Sequence, residues 1–126
     1  MPSRERVQQL IQYVEQGRTL EAIEEFYADD VAMQENRGEP TRGKSANLAR
    51  ERQFYGSIQL HEFRAKSFVV DGDRSAIEWV IEFTTGDGQR LRMEEVAYQT
   101  WRGDKIVHER FYYDTATLAA PAARAA

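Results

Sequence analysis

The sequence predicts an α+β protein, with helices from its first half packed on one face of an antiparallel sheet formed by its second half. Before Ser57, apolar residues recur at helical spacing, whereas after it four long stretches alternate apolar and polar residues. Glycine- and aspartate-containing turns separate these stretches, as expected for consecutive hairpins. Helices followed by strands are typical of the α+β class, and 126 residues suit one domain.

The first predicted helix has an apolar face at positions i, i+3, i+4 and i+7, formed by Val7, Leu10, Ile11 and Val14. Ser3 is placed to cap its N-terminus and Gly17 to end it. In the second helix Thr19 is the expected cap, and Asp29-Asp30 is the expected end. Its apolar face is formed by Leu20, Ile23, Phe26 and Tyr27. We therefore expect two amphipathic helices that bury one face each.

A short strand, Val31–Glu35, is predicted next, followed by a loop over 36–43 and a third helix from about Ser45 to Tyr55. Four long strands then form a meander with turns at 71–73, 86–88 and 103–104. Centring each hairpin on its turn predicts the register. The predicted pairs are Trp101–Ile106, Gln99–His108, Ala97–Arg110, Glu95–Tyr112, Trp79–Glu95, Ile81–Met93, Glu82–Arg92, Lys66–Glu78 and Ala65–Trp79.

This register divides the side chains of the sheet into two faces. One face is apolar on one side and ionisable on the other, which suits a covered concave pocket better than a dry core. It collects His61, Phe63, Ile77, Trp79, Ile81, Met93, Glu95, Gln99, Trp101, His108, Arg110, Tyr112 and Asp114. The opposite face carries an apolar patch, and a sheet-to-sheet homodimer would cover it. That patch is formed by Tyr98, Phe111, Tyr113, Val96 and Val80.

The ionisable end of the first face suggests general acid–base chemistry. Its candidate catalytic residues are Glu95, His108, Arg110, Tyr112 and Asp114. A carboxyl group among aromatic rings has its pKa raised toward the range useful for proton transfer, and arginine or tyrosine can hold a developing oxyanion. The alternative is a structural ion-pair network that satisfies a partly buried sheet end.

The remaining candidates bind ligand rather than react. Glu35 either reaches the pocket mouth or is solvated. The two histidines, His61 and His108, lack an HxH or HExxH spacing, so no metal site is predicted. The expected ligand-binding residues are Trp79, Phe63, His61, Gln99, Trp101, Met93, Tyr27, Met33 and Glu35.

Composition excludes several classes of protein. The absence of cysteine excludes disulfides, a thiolate nucleophile and iron–sulfur clusters. Seventeen basic residues are scattered among 21 acidic ones, so neither nucleic acid nor a membrane surface is an expected partner. No apolar run reaches the length of a membrane span, and no signal peptide is recognised, so a cytoplasmic location is expected. The domain is expected to cover 1–117, with an Ala-rich flexible tail over 118–126.

Three segments resemble the nuclear transport factor 2-like superfamily, in its SnoaL-like (polyketide cyclase-like) branch. They are FYADDV (26–31), PTRGK (40–44) and GDKIVHERFYYD (103–114). The resemblance spans about residues 4–116 and implies a curved sheet wrapped into a cone, with a pocket closed by the helices. It also implies a homodimer. In this family Asp114 matches an acid/base aspartate of the cyclases.

Enzymes of that superfamily include polyketide cyclases, ketosteroid isomerases and limonene epoxide hydrolases. The resemblance implies that pocket carboxylates act without a metal or organic cofactor. We therefore expect a pocket for a small, oxygenated, largely apolar molecule, with isomerase, cyclase or dehydratase chemistry. The alternatives are a non-catalytic ligand-binding or dimerisation module and a protein–protein adaptor.

Overall fold

A computed structural model describes residues 1–116, so the tail predicted over 118–126 lies outside the described residues. Within residues 1–116 the helices are α1 (Arg4–Glu15), α2 (Thr19–Phe26) and α3 (Lys44–Gly56). The strands over the same residues are β1 (Tyr27–Glu35), β2 (Thr41–Arg42), β3 (Ile58–Asp71), β4 (Arg74–Thr85), β5 (Arg90–Arg102) and β6 (Lys105–Tyr113).

The described strands form one curved open sheet in the order β2-β1-β6-β5-β4-β3. All neighbours are antiparallel except β1 and β6, which pair in parallel. The three helices pack on one face, which confirms the α+β class. The short predicted strand is thus longer than expected and lies beside the last strand of the meander.

The helices follow the predicted pattern closely. Ser3 accepts a hydrogen bond from the Arg6 backbone N–H at 3.0 Å and caps α1, and the four apolar residues of the α1 face are all buried. In α2, Arg18 rather than Thr19 occupies the N-cap. The prediction that Tyr27 continues α2 is wrong, because its backbone is extended and pairs with Ile106 at the start of β1.

The register of the central hairpins is largely as predicted. Trp79–Glu95, Ile81–Met93 and Glu82–Arg92 are partners between β4 and β5, and Ala65–Trp79 are partners between β3 and β4. The Lys66–Glu78 pairing is wrong, because a bulge at Lys66 places Ser67 opposite Glu78. The two charges still meet, with Lys66 Nζ 3.9 Å from the Glu78 carboxylate.

The last hairpin departs from the predicted register. Trp101 pairs with Ile106 as predicted, but Thr100 pairs with His108, so Val107 is an extra residue in β6. Such a bulge shifts every following side chain to the other face. The observed pairs beyond it are Gln99–Glu109, Tyr98–Arg110, Ala97–Phe111, Val96–Tyr112 and Glu95–Tyr113. The predicted Gln99–His108, Ala97–Arg110 and Glu95–Tyr112 pairs are therefore wrong.

Candidate functional site: a carboxyl-rich apolar cavity

A cavity of about 380 Å³ lies between the helices and the concave face of the sheet. That volume falls in the range of small-molecule sites. Its apolar wall is formed by Leu10, Val14, Ala22, Ile23, Met33, Phe54, Phe63, Trp79, Ile81, Phe83, Met93 and Phe111. Its polar groups are those of Thr19, Tyr27, Glu35, Arg50, Glu51, Tyr55, Glu95, Gln99, Glu109 and Tyr113.

Glu95 is a buried carboxyl group without a hydrogen-bond partner among the described residues. It is only 7% exposed, and no side chain or backbone group within residues 1–116 forms a hydrogen bond with its carboxyl. Its strand neighbour on one side is Trp79. Burial raises the pKa of Glu95 from its ordinary 4.5 to about 8, and the negative charges of Glu109, Glu35 and Glu51 act in the same direction. Glu95 is therefore mostly protonated at neutral pH.

Glu109 is the second buried carboxyl group, and each of its oxygens accepts a hydrogen bond. The Tyr27 hydroxyl donates to its Oε1 at 2.5 Å, and Gln99 Nε2 donates to its Oε2 at 2.6 Å. Burial raises the pKa of Glu109 to about 7, while the bonds from Gln99 and Tyr27 oppose the rise. Two donors favour the ionised form, so Glu109 ionises before Glu95.

A chain of hydrogen bonds continues behind Gln99. The Ser75 hydroxyl donates to Gln99 Oε1 at 2.6 Å, and Trp101 Nε1 donates to Ser75 Oγ at 2.8 Å. All of these side chains are at most 3% exposed. The chain therefore lies in the core, with Gln99 and Glu109 reaching the cavity wall.

The outer part of the cavity contains an ion-paired group. Arg50 Nη1 on α3 donates to Glu35 Oε2 at 2.6 Å, and the Tyr113 hydroxyl donates to Glu35 Oε1 at 2.5 Å. Arg50 Nη2 also lies 3.2 Å from Glu51, whose pKa is raised by burial. The one guanidinium among the described lining residues is thus already shared by two carboxyl groups.

Tyr55 supplies a hydroxyl that is only weakly engaged. It donates to the neutral Thr19 hydroxyl at 3.2 Å, whereas Tyr27 and Tyr113 form 2.5 Å bonds to carboxyl groups. Burial raises the pKa of Tyr55, so it stays a hydrogen-bond donor. Among the lining tyrosines, Tyr55 is the one whose proton can be redirected to a ligand at the lowest cost.

Most of the predicted binding residues lie at this cavity. The lining contains the predicted binding residues Trp79, Phe63, Gln99, Met93, Tyr27, Met33 and Glu35, together with the predicted catalytic residue Glu95. Trp101 is buried behind the wall, where it bonds Ser75. His61 instead lies in a separate open groove near Gly17, with Nε2 2.7 Å from the Thr84 hydroxyl, so its predicted place in the pocket is wrong.

The structure contradicts the predicted convergence on the pocket of His108, Arg110 and Tyr112 of β6 and of Asp114, which follows β6. The bulge at Val107 turns His108, Arg110 and Tyr112 away from the cavity, and Asp114 is not part of the cavity lining either. Arg110 donates to the Asn36 carbonyl at 2.8 Å, and its guanidinium lies 4.7 Å from the centre of the Tyr112 ring. Asp114 is exposed and accepts a hydrogen bond from the Ala116 backbone N–H at 2.9 Å.

His108 also belongs to that outward face. Its pKa is lowered by partial burial and by the nearby charges of Arg110 and Arg42. No cavity group contributes to this shift, so the local environment of His108 differs from that of Glu95.

The same bulge explains why three cavity residues of β6 were not predicted from the sequence. Glu109, Phe111 and Tyr113 face the cavity because they alternate from the shifted position. From α3 come Arg50, Glu51, Phe54 and Tyr55. That helix buries only Asn47 and Leu48 almost completely, so it carries little periodic signal. A predicted register with one bulge in β6 would have placed the alternating residues Glu109, Phe111 and Tyr113 at the cavity.

The outer face of the sheet also differs from its prediction. Val96, Tyr98 and Tyr112 are 38%, 41% and 45% exposed. Phe111 and Tyr113 were expected beside Tyr98, but they line the cavity instead. Val80 is fully buried, so the exposed part of the predicted patch is smaller than expected.

No helix within residues 1–116 is long and apolar enough to cross a membrane. Over the same residues, no three His, Cys, Asp or Glu side chains come together as a set of metal ligands.

The fold is shared with proteins of known structure. The chain is similar to a candidate SnoaL-like polyketide cyclase from Mesorhizobium loti, with 28% identity over 90% of this chain and 100% of that one, and a TM-score of 0.82. An NTF2-like protein from Burkholderia pseudomallei shares 16% identity over 90% and 92% of the two chains, with a TM-score of 0.79. An LEH-like epoxide hydrolase from M. tuberculosis shares 15% identity over 91% and 84%, with a TM-score of 0.73.

No protein with a curated description matches the sequence. The profile of the SnoaL-like polyketide cyclase family, however, matches residues 5–121. Because that match covers nearly the whole chain and the sheet has the NTF2-like arrangement, the protein belongs to the SnoaL-like polyketide cyclase family.

Proposed function

We propose that the cavity binds a small, uncharged, largely apolar molecule carrying a carbonyl oxygen, and that Glu95 transfers protons to and from it. The observation that carries this proposal is the Glu95 carboxyl group, which is 7% exposed in an apolar cavity and has no hydrogen-bond partner within residues 1–116. A buried carboxyl group without a partner is costly for stability. A proton-transfer role explains why such a group is present.

The chemistry follows from the pKa of Glu95. A carboxylate whose conjugate acid has a pKa of about 8 is a far stronger base than an ordinary one, and at pH 7 about one-tenth of it is ionised. The ionised form takes a proton from the carbon beside the carbonyl group. The Tyr55 hydroxyl donates to the oxygen on which negative charge develops. Return of the proton from Glu95 to another carbon of a conjugated enolate completes an isomerisation. In a cyclisation the enolate carbon attacks a second carbonyl group, and the alkoxide that forms takes up the proton from Glu95.

The charges of the lining define the class of substrate. Four carboxyl groups face the cavity, and the only guanidinium in the described lining, that of Arg50, is engaged by Glu35 and Glu51. An anionic ligand would add a negative charge without a free cation to pair with it, which is unfavourable at low dielectric. The aromatic walls supply the apolar contacts. An uncharged oxygenated ring system fits these conditions.

Relatives support this class of chemistry. The family is named for polyketide cyclisation, and the structurally similar protein of M. tuberculosis is an LEH-like epoxide hydrolase. Polyketides and epoxides are both uncharged oxygenated compounds at their reacting groups. The fold is thus shared with proteins named for reactions of uncharged oxygenated compounds.

Hydrogen–deuterium exchange tests the proposal without knowledge of the natural substrate. We expect the protein to accelerate exchange of the protons beside the carbonyl of 2-tetralone in D₂O, followed by proton NMR. E95Q should lower the enzyme-dependent rate by about 100-fold or more. The matched control is E94Q, which removes the neighbouring exposed carboxylate from the opposite face. An exchange rate that E95Q leaves unchanged would exclude Glu95 as the base. Binding of 2-tetralone without any accelerated exchange would favour a non-catalytic ligand-binding module.

We also propose that a second copy of the chain covers the outer face of the sheet around Val96, Tyr98 and Tyr112. These exposed apolar side chains lie beside charges of both signs, such as Arg92 with Glu82 and Lys66 with Glu94. A patch with both signs can pair with itself across a two-fold axis. Self-association of this face would bury the tyrosines while it keeps the charges paired.

A further inference from the structure

The side-chain amide of Gln99 has its orientation dictated by two residues outside the cavity. The indole N–H of Trp101 can only donate, so Ser75 Oγ is its acceptor at 2.8 Å. The Ser75 hydroxyl hydrogen is then directed at Gln99 Oε1, 2.6 Å away. With its oxygen held there, Gln99 has its NH₂ group directed at Glu109 Oε2 at 2.6 Å. The donor-only indole therefore sets the direction of the whole chain.

We propose that Ser75 and Trp101 are positioning residues that lock Gln99 as a donor to Glu109, so that the negative charge of the cavity resides on Glu109 and the proton on Glu95. The assignment of the proton to Glu95 rests on the proposed function. The charge distribution itself is a ground-state property of the folded protein. It can be measured whether or not the protein has enzymatic activity.

The lock acts by removing an alternative hydrogen-bond arrangement. A protonated Glu109 could donate through Oε2 if Gln99 turned over and offered its carbonyl oxygen. The turned amide would direct its NH₂ at Ser75, which already accepts from Trp101, and the Ser75 hydroxyl hydrogen would lose its acceptor. An unsatisfied buried hydroxyl is costly. The fixed orientation of Gln99 therefore disfavours the neutral form of Glu109. The negative charge that Glu109 then carries helps to keep Glu95 protonated.

The other charged and titratable groups around the pair do not replace this lock. From α3, Arg50 and Glu51 face the cavity, but Arg50 donates to Glu35 and Asn47. From β1, Tyr27 is the second donor to Glu109. The remaining lining groups are Glu35 on β1, Tyr55 on α3 and Tyr113 on β6, and none of them bonds Glu109 or Glu95. Gln99 is therefore the one donor to Glu109 whose direction depends on residues behind the wall.

A titration of the two carboxyl groups tests the proposal. The protein is labelled with ¹³C at the glutamate carboxyl carbon, and the signals of Glu95 and Glu109 are assigned by their loss in E95Q and E109Q. The variants to be titrated are S75A and W101F. The matched control is S75T, which keeps the hydroxyl group. Folding of each variant is checked by circular dichroism.

We expect S75A and W101F to raise the titration midpoint of Glu109 by about one pH unit. They should lower the midpoint of Glu95, because the neighbouring negative charge is then absent. S75T should leave both midpoints in place. Midpoints that stay unchanged in folded S75A and W101F would overturn the proposal, as would equal shifts in S75A and S75T. Loss of tetralone exchange alone would count against the proposed function and not against this lock.

Discussion

Replacement of Glu95 by glutamine should abolish part of the pH dependence of stability. The pKa of Glu95 is raised from 4.5 to about 8 in the folded protein, so the unfolded chain releases this proton first as the pH rises. Below pH 4.5 both states are protonated and Glu95 has no effect. Between pH 4.5 and 8 the folded state loses stability, and above pH 8 the loss is constant.

The magnitude follows from 1.36 kcal/mol for each unit of pKa difference. Glu95 lowers the free energy of unfolding by about 3 kcal/mol at pH 7 and by about 5 kcal/mol at pH 9. E95Q removes this term. Its free energy of unfolding relative to the wild type should therefore rise by about 4 kcal/mol between pH 5 and pH 9.

Urea unfolding at a fixed protein concentration, followed by tryptophan fluorescence, measures these differences. The glutamine side chain can itself change the free energy of unfolding by an amount that does not depend on pH. The quantity to examine is therefore how the difference in free energy of unfolding between E95Q and wild type changes with pH. E94Q is the control, and its difference from the wild type should vary by less than about 0.5 kcal/mol over the same range. Parallel pH profiles for wild type and E95Q would refute a raised pKa at this position.

Three further outcomes are expected. Y27F removes a 2.5 Å donor to buried Glu109 and should destabilise the protein by about 2 kcal/mol at pH 8 and by less at pH 5. Urea unfolding measures this loss, with Y112F, a change at an exposed tyrosine, as the control. Equal effects of the two variants would contradict the prediction. Light scattering should give the wild type a mass of twice 14.6 kDa and Y98R the monomer mass, whereas a mass unaltered by Y98R would exclude the outer sheet face as the interface. In calorimetry 2-naphthylmethanol should bind at least about ten times more tightly than 2-naphthoate, and equal affinities would contradict the exclusion of anions.

Much of the fold could be predicted from the sequence because its elements carry local signals. The α1 face, the Ser3 cap and the turns at 71–73 and 103–104 are each encoded within a few residues. The β4–β5 register follows from one turn without a bulge, and Trp79 and Glu95 pair as predicted. The cavity position of Glu95 follows from that register.

The site itself could be predicted only in part, because one bulge decides the face of β6. A two-residue turn at Gly103-Asp104 fixes only the Trp101–Ile106 pair. Because Val107 is an extra residue, Glu109 and Tyr113 line the cavity, whereas the predicted Arg110 and Asp114 do not. The parallel pairing of β1 with β6 is a long-range contact, and neither strand carries a local signal for it. The cavity residues of α3 also lack a local signal, because they lie on a helix with little apolar periodicity.

The most direct test of the central claim is the carboxyl ¹³C titration of Glu95 in the wild-type protein. A midpoint at about pH 8 is expected, because the carboxyl group is buried, has no hydrogen-bond partner within residues 1–116 and faces the charges of Glu109, Glu35 and Glu51. The midpoint should fall in E109Q, which removes the strongest of those charges. A midpoint near the ordinary 4.5 would mean that Glu95 is fully ionised at neutral pH, and would contradict its role as the group that exchanges protons with the substrate.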